Sequence, residues 1–217
     1  MKTSKSATRP PGDVFIACRR TIDDWRAFQA TLVPGGDAAL WERAFKDYFQ
    51  ARLFSRYLDP LRVLQKNGAK RGEGFSIVAI QCSLIEFLES TIQGKSYRLL
   101  RKGAPRLGQY EYSNSSDMFL TFLLNRTPFN GEFTPVTARD FYEGVRCGLL
   151  HEARTKNGWT VLAKNKTGQI IDKKLKIVYR DNFQSALLAF VRWYEGRLMS
   201  DIGLQEAFIR KFDSLCL

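Results

Sequence analysis

The sequence predicts an all-α bundle with a small β insertion ahead of its C-terminal helices. Two helical patterns and one change of texture lead to that reading. Between Leu40 and Leu58 apolar residues recur at three- and four-residue steps, the repeat of one face of an α-helix. Between Phe75 and Ile92 apolar residues leave almost no polar face, which is the pattern of a helix enclosed by others. Between about Trp159 and Tyr179 the chain turns to short β-rich runs parted by turn residues. With 217 residues, 44% of them hydrophobic, there is material for one substantial core. Residues 13–217 are therefore read as a single domain, and residues 1–12, rich in Lys, Ser and Pro, as a flexible basic lead-in.

Taken in order, Asp23 to about Leu32 reads as a short helix closed by the turn Pro34-Gly35-Gly36. The long helix carries Leu40, Trp41, Ala44, Phe45, Tyr48, Phe49, Phe54, Tyr57 and Leu58 and runs to Pro60. Its aromatic stripe is read as core, because helical spacing is what burial requires. The apolar helix ends at Gly94, and a basic stretch containing Gly and Pro follows as a loop to about Gln109. Ser115 or Ser116 caps a helix through Leu124, and Pro128 to Pro135 is a turn-rich connection. Thr137 offers the start of a helix reaching Glu152. The runs Trp159-Thr160-Val161-Leu162, Gln169-Ile170-Ile171 and Leu175 to Tyr179, around the turn Asn165 to Gly168, predict a hairpin or small meander. Asp181 or Asn182 caps a helix from Phe183 to Met199, and Asp201 to Leu215 supplies the last.

The net charge of +12 is unevenly spread. Residues 1–20, 95–110 and 154–180 together hold 18 basic and 2 acidic side chains, and the remainder holds 16 basic and 20 acidic. Positive charge gathered into a few segments of an otherwise near-neutral chain is what a nucleic-acid backbone calls for; solubilising loops are the plain alternative. Lys95, Arg98, Arg101, Lys102, Arg106, Arg154 and Lys156 are the candidate RNA contacts. Cys18, Cys82, Cys147 and Cys216 are scattered, without a Cys-x-x-Cys pair, and only one histidine stands beside them. Reduced thiols and no metal site are expected. Without a long uncharged apolar run or an apolar N-terminal stretch, the expectation is a cytoplasmic protein with no membrane partner.

That one histidine is His151, in Arg146-Cys147-Gly148-Leu149-Leu150-His151 near the end of a helix. Histidine exchanges protons near neutral pH, its ordinary pKa being ~6.5. Arginine keeps its charge and presents a fork of donors suited to phosphate oxygens. On a helical wheel Phe141, Tyr142, Val145 and Leu149 form the core stripe, while Gly144, Cys147, Gly148 and His151 share another face. Such a smooth face invites close approach of a second helix, and a homodimer through Gly144, Gly148 and His151 is the expected consequence. Arg146 and His151 stand about 140° apart on a straight helix. A structural reading of the same residues stays open: His151 as a helix-end cation and Arg146 as the partner that Glu86, within Leu84-Ile85-Glu86-Phe87-Leu88, requires.

The segment Phe141-Tyr142-Glu143-Gly144-Val145-Arg146-Cys147-Gly148-Leu149-Leu150-His151-Glu152 resembles the motif helix of the HEPN superfamily, whose ribonucleases carry Arg followed four to six residues later by His. The resemblance covers roughly Leu40 to Glu152. Cys147 stands where ribonuclease members often place Asn, Asp or His. The resemblance implies an HEPN-like helical bundle and a metal-independent endoribonuclease without cofactors, working as a homodimer, with Arg146 and His151 catalytic and Glu86, Cys147 and Glu152 in support. It leaves two other roles open, a non-catalytic RNA- or nucleotide-binding module and a structural homodimer. A toxin or defence effector with an antitoxin or nucleotidyltransferase-like partner also falls within what it implies.

Overall fold

The structure, a computed structural model, describes residues 14–67 and 72–217; the lead-in 1–12 lies outside the described residues. Among the described residues the protein is mostly helical, 61% helix, with seven helices and small sheets. A short hairpin of β1 (Phe15–Ala17) and β2 (Arg20–Thr21) leads into α1 (Ile22–Gln29). Thr21 and Asp24 close a reciprocal capping box at that entry, satisfying donors that the first turn leaves free. Next comes α2, a continuous helix over 38–67 capped by Asp37. It contains two wide π-turns, Phe45–Gln50 and Phe54–Leu58. The helix passes through Pro60 instead of ending there: in the wide turn just before it the Asp59 N–H reaches back to the Phe54 carbonyl, loosening the spiral where a proline ring would otherwise clash. Trp41, Phe45, Tyr48 and Phe49 are buried, so the aromatic stripe is core.

The apolar helix is α3 (Glu73–Gln93), and it lies at the centre. Helix α4 (Ser115–Asn125), helix α6 (Arg180–Leu198), helix α7 (Ile202–Ser214) and the end of α2 all pack on it. Among the described residues this is the one helix long and apolar enough to cross a membrane by length and composition; ten of its residues are buried inside the fold. Gly94 terminates it in the left-handed region at φ +62°, and the Lys95 N–H bonds back to the Ser90 carbonyl. A Cβ at Gly94 would lie 2.7 Å from the Ala207 backbone, so the stop signal is also where α7 docks.

Beyond Gly94, β3 (Ser96–Tyr97) pairs in parallel with β4 (Glu111–Tyr112), and the basic loop bulges between them. Asn114, not a serine, caps α4. Helix α5 spans 135–152, starting at Pro135 under a Thr134 cap two residues earlier than the sequence indicates, and it contains a π-turn at Tyr142–Cys147. Then come β5 (Thr160–Leu162), β6 (Ile171–Asp172) and β7 (Ile177–Tyr179), in the order β5-β7-β6. This is not a simple meander: β5 runs parallel to β7 and only β6 and β7 are antiparallel. The Glu132 carboxylate fixes the sheet to the bundle by accepting the Ile170 and Ile171 N–H groups at 2.8 to 3.1 Å. Helix α6 starts at Arg180 without a side-chain cap.

The C-terminal end of α3 also receives a buried cation. Lys211 of α7 donates to the Lys95 carbonyl at 3.0 Å and sits over the Phe87 ring. Burial, with Arg52 nearby, pulls its ammonium down to about 8 from an ordinary 10.5. Between those values the folded protein holds fewer protons at this site than the unfolded chain, so its contribution to stability rises with pH across that window. The gain of wild-type stability between pH 8 and 10 is expected to exceed that of Lys211→Met, measured by urea unfolding at each pH; equal slopes would show that the site does not titrate there.

Candidate active site

Glu86 and Arg146 meet across the contact between α3 and α5. The π-turn carries Arg146 to the surface of α5, its guanidinium over the Tyr142 ring at 5.3 Å and 3.7 Å from Glu86 Oε2. The other carboxylate oxygen of Glu86 accepts the Tyr112 hydroxyl at 3.0 Å and the Ser115 hydroxyl at 2.9 Å. Burial, followed by the Glu86 charge, raises the Tyr112 phenol above its ordinary pKa, so it stays a donor. The sequence points to the Glu86–Arg146 pair but carries no sign of Tyr112 or Ser115, because both reach Glu86 from distant positions with no local periodicity to mark them.

A cleft of about 250 Å³ opens over this pair, lined by Ala79, Cys82, Ser83, Glu86, Arg146 and Leu150. Arg146 is held loosely. At 3.7 Å it makes no direct hydrogen bond to Glu86, and its side chain retains 19% exposure. Among the described residues it makes no hydrogen bond, which leaves its donors available to an anion. Burial pushes the Cys82 thiol up, which makes that side chain cleft wall and not nucleophile. Cys147, next to Arg146, is a half-buried thiol in no disulfide.

His151 is not among the cleft-lining residues. It is exposed on the last turn of α5 and makes no hydrogen bond or ion pair among the described residues. Ala153, in the left-handed region at φ +53°, ends the helix just beyond it. Glu152 does not support either motif residue. It pairs with Lys156 at 2.8 Å and Arg154 at 3.1 Å, and those two cations hold its carboxyl below the ordinary range. Arg154 and Lys156 are correspondingly less available to RNA.

The glycine face is a correction. A Cβ on Gly148 would lie 2.5 Å from the Arg154 carbonyl oxygen, and one on Gly144 would lie 2.6 Å from the Trp159 indole. The Lys156 N–H bonds the Gly144 carbonyl at 2.7 Å. The chain's own 154–159 strap therefore fills the smooth face that the sequence suggests for a second helix. At the C-terminal end of α5 Leu150 stays open, 62% exposed, beside the cleft and next to His151.

Among the basic-loop candidates, Arg98 is spent within the loop. It donates to Glu111 at 2.7 Å and to the Pro105 and Arg106 carbonyls at 3.0 and 2.7 Å, so these donors organise the loop and are not open to RNA. Lys95 lines a groove together with Glu111 and Asp117. Arg101, Lys102 and Arg106 are exposed and make no ion pair among the described residues. No protein-family model, curated protein or solved structure matches the chain.

Proposed function

We propose that the protein is a metal-independent endoribonuclease with an HEPN-like helical bundle, acting as a homodimer. The observation that carries this reading is Arg146, a lightly held guanidinium facing a cleft, on the same helix as the exposed His151 one turn further on. In the reaction, His151 takes the proton of an RNA 2′-hydroxyl, the 2′-oxygen attacks phosphorus, the bond from phosphorus to the 5′-oxygen breaks, and the imidazolium of His151 returns the proton to the departing 5′-oxygen. A 2′,3′-cyclic phosphate and a 5′-hydroxyl result. Arg146 stabilises the charge that builds on the non-bridging oxygens. Since His151 stands outside the Arg146 cleft of its own chain, each site takes its histidine from the second copy, which docks on the open face formed by Phe75, Ala79, Ser83 and Leu150. The protein carries out this reaction in the cytoplasm.

The test is cleavage of RNA in EDTA, with product ends identified and the dimer mass read by light scattering. His151→Ala is expected to lower the rate by about 10²- to 10⁴-fold and to leave stability within about 0.5 kcal/mol, because the side chain is exposed and has no partner among the described residues. Arg146→Ala is expected to lower it by about 10²- to 10³-fold. A second reading, favoured by the Glu86–Arg146 ion pair, makes Arg146 structural. Wild-type protein that cleaves no RNA, with Arg146→Ala alone melting early, would establish it in place of the first.

A further inference from the structure

The chain of contacts through Glu86 continues outward from the cleft. Tyr112, which donates to Glu86, lies against Tyr97 with ring centroids 5.6 Å apart and the planes at 70°. Tyr97 is 50% exposed, yet its backbone is fixed: the Ser96 N–H bonds the Tyr110 carbonyl and the Arg98 N–H bonds the Tyr112 carbonyl, both at 2.9 Å. It is thus a half-open aromatic ring on a rigid strand pair, one side chain removed from the group that faces Arg146. Tyr110, the other exposed aromatic of this segment, is already covered by the Arg210 guanidinium at 4.3 Å.

The surrounding charge is uncompensated. Arg101, Lys102 and Arg106 protrude from the loop that starts next to Tyr97, without ion pairs among the described residues. The nearby carboxylates are engaged elsewhere: Glu111 with Arg98 and the Gly108 N–H, Glu86 with Tyr112, Ser115 and Arg146. An aromatic face beside free cations is the combination that binds single-stranded nucleic acid, the ring stacking on a base and the cations following the backbone. In a duplex both faces of each base are already stacked, so this arrangement favours unpaired RNA.

Resting on the ribonuclease reading above, we propose that Tyr97 is a base-stacking subsite that selects single-stranded RNA and delivers it to the Arg146 cleft, with Arg101, Lys102 and Arg106 holding its phosphates. The test uses fluorescein-labelled oligouridylate, and the duplex it forms with oligoadenylate, titrated with the full chain in EDTA at several salt concentrations. Tyr97→Ala is expected to weaken single-strand binding by about 5- to 150-fold while leaving the salt slope unchanged and lowering the melting temperature by no more than a few degrees through the lost Tyr112 contact, and Tyr97→Phe to bind like wild type. Changing Arg101, Lys102 and Arg106 together to glutamine is expected to flatten the log–log salt slope by about 2. Tyr97→Ala that binds like wild type, or a wild type that prefers the duplex, overturns the subsite and leaves the ribonuclease reading standing. Wild type that binds neither RNA overturns both.

Discussion

Replacing Glu89 with alanine is expected to destabilise the fold by about 3–5 kcal/mol, the cost of breaking a buried ion pair on one side. The Glu89 side chain is fully enclosed, on the central helix α3. Its carboxylate accepts from Arg126 Nε and Nη2, both at 2.8 Å, and from Gln93 Nε2 at 2.6 Å. Arg126 is the residue that closes α4, so the pair ties the ends of two helices together. Truncation takes from the Arg126 guanidinium and the Gln93 amide the acceptor they share, and leaves a charge that is mostly buried without its partner. In a chain of this size the melting temperature is expected to fall by about 10 °C. Urea unfolding of Glu89→Ala, Arg126→Leu and a Glu89→Leu, Arg126→Leu double variant measures it. The double variant is expected to recover part of the loss, since no charge is left stranded. A Glu89→Ala midpoint equal to wild type would refute the argument.

Gly148→Leu is expected to unfold the corner between α5 and the β insertion, at a cost of about 3 kcal/mol, the upper end of the overpacking range. The obstacle is backbone: the Arg154 carbonyl oxygen at 2.5 Å and the Lys156 nitrogen at 3.4 Å from the added Cβ. No rotamer change clears them. The strap they belong to is anchored by the Lys156 N–H on the Gly144 carbonyl and by Trp159, buried over the helix with its indole N–H on Asp140 at 3.1 Å. A displaced strap exposes Trp159, so tryptophan emission is expected to shift red along with the loss of stability. Were Gly148→Leu instead to remain as stable as wild type and only lose dimer mass, the glycine face would be an interface between chains after all.

Both results bear on what the sequence reveals. The Gly144 and Gly148 pattern says that something packs closely on that helix face, and it does. Spacing along one helix cannot tell whether the visitor comes from a second chain or from ten residues downstream. Glu86 stands out in the sequence as a carboxylate needing a partner, and Arg146 lies within ion-pair range of it, yet the fully buried acid is Glu89, three residues on. Its partner Arg126 lies 37 positions away on another helix, and no periodicity connects them. Arg98 reads as one more cation in a basic run until its three acceptors within the loop are seen.

By itself the sequence determined what depends on near neighbours along the chain. Apolar residues at helical spacing set α2, α3 and their buried faces, Gly94 set the stop of α3, and the β-rich texture set the insertion before the last two helices, because periodicity, caps and turn residues act within a few positions. The tertiary structure alone decided what depends on distant groups meeting. It ran β5 parallel to β7, carried α2 through Pro60 and laid the 154–159 strap over the glycines. It also joined Tyr97, Tyr112, Glu86 and Arg146 into one line of contacts while leaving His151 outside the cleft. Such contacts arise from burial and hydrogen-bond satisfaction across the whole fold, which have no short-range signature for a sequence to display.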